Sequence, residues 1–193
     1  MGYCCKAPWL GPNNSFKPTP HRGINSVLCA TLARCRRPAV GRLNSGVRPR
    51  MKLIGFSIAE DFVAIEYKTD RFDLHNNFDF QGLSYSPVQR TLELNWRRGL
   101  GEWVRPTEPS DLSISFTGVY LFKTQERDPA LPFTEDACLD SLGFMWDDLA
   151  TEMRAFTSNQ PGDGCTHFTA NFMSGFSVKV GAESAILQVA GGA

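Results

Sequence analysis

Residues 90–97, RTLELNWR, set Leu92, Leu94 and Trp96 on one side of an extended chain and Glu93, Asn95 and Arg97 on the other. A period of two suits a strand with one buried face, because side chains alternate across a sheet. The same pattern returns in DLSISF, with Leu112, Ile114 and Phe116 inward. It returns again in HFTANFMSGFSVKV, where Phe168, Ala170 and Phe172 alternate before a turn at Ser174-Gly175 and Phe176, Val178 and Val180 after it. That last stretch reads as a hairpin.

Further strands are expected in FVAIEYK (62–68), in AILQV after Gly181, and in FQGLSYS, which passes Ser86-Pro87 into the 90–97 strand as a second hairpin. Residues 116–123 read as one strand running past Gly118 or as two. Helix signals are few. Thr134 can cap a short helix beginning EDACLDSL, with Glu135 and Asp136 at its positive end. WDDLATEMRAF places Trp146, Leu149, Met153 and Phe156 near one face. The expected fold is mainly β: an antiparallel sheet or sandwich of about seven to nine short strands, with one or two short helices within 134–156.

Charge divides the chain at Met51. The 193 residues carry 20 basic and 20 acidic side chains, but the first fifty hold nine of the bases and no acid. The rest carries 11 bases against 20 acids, a net of −9. Four of the six cysteines and six of the 12 prolines also precede Met51. Such a basic arm could attract phosphate through Arg34, Arg36, Arg37, Arg42, Arg48 and Arg50. It shares the Arg-rich, acid-free composition of organelle transit peptides, but Pro18, Pro20, Gly23 and Pro38 interrupt any long amphipathic helix. VLCATLA (27–33) is short and late for a secretory signal, and no run approaches the roughly 20 apolar residues of a membrane span. NNSFKPTPHRGINSVL (13–28) resembles a stretch that recurs at the ends of unrelated bacterial reading frames where a dispersed genomic repeat is translated. On that resemblance, 1–50 is expected to be a spurious extension, and if it is translated its low core-forming capacity and dense Pro and Gly argue that it stays disordered; 51–193 is expected to be a single β-rich domain.

Chemistry is sparse. Outside the extension, imidazole is offered by His75 and His167 alone. His167 shares a strand side with Thr169 and Asn171 and is expected to be exposed. Cys165 stands two residues from it, with no flanking nucleophile motif. His75 lies in DRFDLHNNFDF, where Asp73, His75 and Asp79 could converge on a metal, although the spacing matches no metal motif and a polar loop is the plainer reading. WRRGLGEW mixes aromatic and basic residues, yet a body at −9 repels phosphate, so no nucleic-acid binding is expected of 51–193. Cys138 and Cys165 read as reduced thiols. No cofactor is expected.

The densest polar stretch is QERDPALPFTEDACLD, with Glu126, Arg127, Asp128, Glu135, Asp136 and Asp140 around two prolines. Ordered polar loops on a sheet scaffold are where recognition tends to sit, so these six residues are the candidate binding set. The succession of this RDP…PFTEDxC loop and the FMSG hairpin resembles small bacterial proteins of unknown function. The overall plan resembles, in architecture and not in a diagnostic motif, the β-rich immunity proteins of polymorphic toxin systems. That resemblance implies a cytoplasmic, non-enzymatic inhibitor that binds a toxin; the acidic body suits a basic protein partner, and without a long apolar run no membrane is expected. A small hydrolase or metal-dependent enzyme centred on His75 is the alternative.

Overall fold

The computed structural model describes residues 50–146 and 165–191, so the basic extension, apart from Arg50, lies outside the described residues. Twelve strands are present among the described residues: β1 (Lys52–Ile54), β2 (Phe56–Ile58), β3 (Ala64–Tyr67), β4 (Asp70–Asp73), β5 (Phe78–Ser86), β6 (Thr91–Arg98), β7 (Asp111–Thr117), β8 (Leu121–Gln125), β9 (Leu139–Trp146), β10 (Cys165–Phe172), β11 (Ser177–Gly181) and β12 (Ser184–Ala190). They form a five-stranded sheet, β1-β12-β7-β6-β5, a four-stranded sheet, β8-β11-β10-β9, and a three-stranded sheet, β2-β3-β4. Pairing is antiparallel except for β1, which lies parallel to β12. The fold is mainly β, as the alternation requires.

The alternating residues become the core. Leu92, Leu94 and Trp96 on β6, Leu112, Ile114 and Phe116 on β7, and Ala185 and Leu187 on β12 are buried on one sheet. Phe144, Phe168, Ala170, Phe172, Val178 and Val180 are buried on the other and join the same cluster. Aromatic rings bridge the two layers: Phe116 and Phe168 lie 5.1 Å apart between centroids, and Phe80 and Phe172 lie 4.4 Å apart. The small sheet joins this core through Ile58, Ile65 and Phe72, and the N–H of Leu142 donates to the carbonyl of Phe62 at 2.7 Å.

Both expected hairpins form, β5 with β6 and β10 with β11. Residues 116–123 make two strands in different sheets. The break falls at Gly118, whose φ of +67° turns the chain from β7 toward β8. The strand count exceeds expectation because three- and four-residue strands such as β1, β2 and β4 are too short to show a period.

Two local expectations are corrected. The helix expected from Thr134 is a single 3-10 turn, Phe133–Asp136, with Pro132 at its N-cap and no side-chain cap. The following residues form β9, because Leu142 and Phe144 reach the core from alternate positions while the backbone pairs with β10. The remainder of the second expected helix, 147–156, lies outside the described residues. His167, expected on a solvated face, is only 2% exposed, beside the equally enclosed Thr169 and Lys179. Polar alternation marks a different face, not a wet one. Here the Tyr120 ring lies 5.6 Å from that of His167, in space left by Gly181, where a Cβ would meet both rings.

Phe168 packs against both Phe116 and Phe144 at the centre of the sandwich. Phe168→Ala is expected to lower unfolding free energy by about 3–5 kcal/mol. Val88→Ala, at a side chain 93% exposed, should change it by less than about 0.5 kcal/mol. Urea unfolding of both variants checks the contrast.

Candidate functional site

The polar loop between β8 and β9 is ordered by its own side chains. Asp128 donates its N–H to the carbonyl of Ser174 at 2.7 Å, and its carboxylate accepts from the N–H of Ala130 at 2.9 Å. Pro129 and Pro132 restrict the backbone between these anchors and the 3-10 turn. Arg127 then crosses the loop. Its Nε donates to Asp136 Oδ1 at 2.9 Å, its Nη2 donates to the carbonyl of Leu131, and its guanidinium lies 4.2 Å from the centroid of the Phe133 ring. Phe133 is itself 79% exposed. An aromatic side chain is thus displayed to solvent while a cation holds its face.

Burial opposes ionisation of Asp136, but hydrogen bonds from Arg127 and from the Ser174 hydroxyl outweigh it, so this carboxyl titrates below the ordinary carboxylate value. Arg127 and Asp136 therefore form a charged pair at neutral pH.

This loop faces β5 across an open cleft of about 430 Å³. Phe80, Gln81, Gly82 and Leu83 of β5 line it together with Arg127, Phe133, Asp136 and Ala137 of the loop and with Phe176. At Gly82 the strand bulges, with a register shift between Phe80 and Gly82 and a φ of +130° that side-chain-bearing residues rarely adopt.

Of the six residues in the candidate binding set, Arg127 and Asp136 line the cleft. Glu126 and Asp128, exposed, and Glu135, half-buried, are their chain neighbours. Asp140 lies on β9, where it accepts from the Ser141 hydroxyl, and is not part of the lining. The apolar half of the cleft is not visible in the sequence, because Phe80 and Phe176 reach it from other elements. Phe133 carries a local signal, as an aromatic residue inside an otherwise polar, proline-flanked loop.

Asp73, His75 and Asp79 do not converge. The Asp73 carboxylate accepts from the backbone and side-chain N–H groups of Asn76, both at 2.8 Å, and closes the turn after β4. Asp79 sits on β5 opposite Arg97. Among the described residues no three His, Cys, Asp or Glu side chains gather as metal ligands. His75 instead meets Cys138, with its Nδ1 3.8 Å from the sulfur, a contact across 63 positions that no local pattern announces. The same nitrogen hydrogen-bonds the carbonyl of Leu139. A carbonyl can only accept, so Nδ1 carries the proton and is not a base toward the thiol.

The aromatic-basic run is split by the fold. Trp96 is buried, Arg97 pairs with Asp111 at 3.3 Å, and Arg98 donates to the carbonyls of Pro106 and Glu108. Trp103, at the end of the run, is 57% exposed and donates its indole N–H to the carbonyl of Asn76 at 3.1 Å. No protein-family model matches the chain, and no curated protein or solved structure is significantly similar to it.

The lowered Asp136 carboxyl has a measurable consequence. A pKa depressed by folding contributes stability that is present above the ordinary carboxylate range and lost as pH falls through the lowered value. The wild-type protein is expected to lose stability in acid more steeply than Asp136→Asn. Asp111, lowered by the Ser110 hydroxyl and by Arg97, is common to both proteins and cancels in the comparison. Thermal unfolding across the acid range checks this, and parallel profiles would contradict it.

Proposed function

We propose that this chain is a non-enzymatic protein-binding domain, of the inhibitor kind that neutralises a toxin by covering it, and that it docks through the 126–138 loop and its cleft. The observation that carries this reading is Phe133, largely exposed yet fixed under the guanidinium of Arg127. An exposed aromatic that is already immobile loses little freedom on binding, and aromatic and arginine side chains dominate the energetics of protein interfaces. The half-buried ion pair beneath it holds that guanidinium in place in the free protein. The acidic excess of 51–193 favours a basic partner, because complementary charge accelerates encounter. A partner side chain entering the cleft would meet Phe80 and Phe176 at its apolar end and Asp136 at its polar end.

A phage-displayed library of random peptides, panned against the full chain, tests the surface. Enriched binders are expected to be rich in Lys and Arg, to weaken about tenfold or more on Phe133→Ala and on Arg127→Ala, and to survive Val88→Ala. Binders indifferent to both loop substitutions would place recognition elsewhere and sink the proposal.

A further inference from the structure

From the geometry of β5, which rests on reading the cleft as a protein-binding site, we infer that the partner enters as an extended segment that adds a strand to the five-stranded sheet. Among the described residues β5 is an edge strand, hydrogen-bonded to β6 on one side only. Its outward groups follow from the ladder. The N–H of Arg98 on β6 donates to Ser110, on the β7 side, and that of Gly99 donates to the carbonyl of Asn77 on the β5 side. Alternate β6 residues therefore face β5, and Gly82, Ser84 and Ser86, opposite Asn95, Glu93 and Thr91, take the bonds to β6. Phe80, Leu83 and Tyr85, opposite Trp96, Leu94 and Leu92, point their backbone groups away from it.

The loop already occupies the first of these outward positions, because the N–H of Phe80 donates to the carbonyl of Ala137 at 2.8 Å. Beyond the bulge the edge is open: Leu83 and Tyr85 each present one N–H and one carbonyl, with no hydrogen bond from these groups among the described residues. Their side chains point toward the sandwich interior and are still half-buried or exposed, and Tyr85 packs on Phe122 of β8, the edge strand of the facing sheet. Both sheets thus end on this side, leaving an apolar seam continuous with the cleft at Leu83.

Edges in soluble proteins are usually guarded by charge or brevity. β1 carries Lys52, β8 carries Lys123, β4 carries two aspartates and an arginine, and β2 has three residues. From Phe80 to Ser86 β5 has no charged side chain.

The charge around this edge specifies the occupant. Glu93, beside Ser84 in the ladder, and Glu126, Asp128 and Glu135 around the cleft take part in no ion pair among the described residues. The segment that fits alternates apolar residues, directed into the seam and cleft, with lysine or arginine.

A fluorescein-labelled peptide, Lys-Val-Lys-Phe-Lys-Val-Lys, tests this against the full chain by fluorescence anisotropy. Two derivatives carry N-methyl groups on alternate amides, one on the odd and one on the even positions, with charge and side chains unchanged. Strand addition predicts that one derivative loses about tenfold or more in affinity while the other binds within about twofold of the parent. Leu83→Pro removes one outward N–H without breaking the ladder and should weaken the parent peptide similarly, with circular dichroism confirming its fold. If that variant does not fold, the two methylated peptides still decide. Equal effects of both methylations, or no binding of the parent, overturn strand addition. Library binders that depend on Phe133 and Arg127 would meanwhile keep the docking surface itself. A wild-type dimer that Leu83→Pro dissociates would assign the edge to a second copy of the chain and overturn the partner.

Discussion

Both described passages of the chain between the two large sheets meet at one corner, and Arg90 holds that corner together. The chain leaves β7 at Thr117 for β8, and returns from β11 at Gly181 to β12. The two crossings are stitched to each other: the N–H of Tyr120 donates to Gly181 at 2.9 Å, and that of Glu183 donates to Thr117 at 3.0 Å. Arg90, at a φ of +54° that few side-chain-bearing residues adopt, donates through Nη2 to the carbonyl of Gly118 at 3.0 Å and through Nε to that of Val119 at 3.3 Å. It also pairs with Glu183 at 3.2 Å. Because β8 enters its sheet directly from this corner, it becomes an edge strand, and Phe122 is brought against Tyr85 on the other sheet's edge. The open seam is thus a consequence of where the chain changes sheets.

The Arg127–Asp136 pair illustrates how a contact can matter for position more than for stability. Ion pairs that keep access to water contribute about 0–1 kcal/mol at most, and Asp136 keeps a third of its side-chain surface exposed. What the pair fixes is the plane of the guanidinium, which in turn fixes Phe133. Asp136 is also tied to Ser174 in the β10–β11 turn, and the backbone of Asp128 reaches the same residue. The loop is therefore referenced to the hairpin of the four-stranded sheet at two points. Its aromatic tip inherits that rigidity.

The strands were legible where alternation ran for six or more residues, as in β6, β7 and β10, because a half-buried sheet surface demands that period. Legibility failed where tertiary pairing overrode local preference. Residues 134–142 carry the expected cap, Thr134, and acidic helix-start residues, but Gly143 follows, and a backbone that pairs with β10 from Leu139 onward satisfies its polar groups while placing Leu142 and Phe144 in the core. His167 misled for a related reason: sequence polarity cannot report that a sheet is covered on both faces. The candidate loop was legible from charge density and proline spacing. Its cleft was not, since Phe80 and Phe176 reach it from two different hairpins.

On the proposed reading, the loop and the edge would divide recognition between two kinds of group. Backbone pairing at a sheet edge is nearly blind to sequence, so an edge alone would accept many extended chains. A cleft lined by fixed side chains discriminates, but a shallow one offers little area for affinity. In this fold the same residues serve both: the carbonyl of Ala137 closes the edge at Phe80, and Ala137 lines the cleft together with Phe80 and Leu83. A segment pairing with Leu83 and Tyr85 would have its register fixed by the closed position at Phe80, since it cannot extend past the loop. That stop sets which of its side chains faces Phe133 and Asp136. On the proposed reading, the polar loop would act on an extended partner first as a boundary of the sheet, and only then as a contact surface.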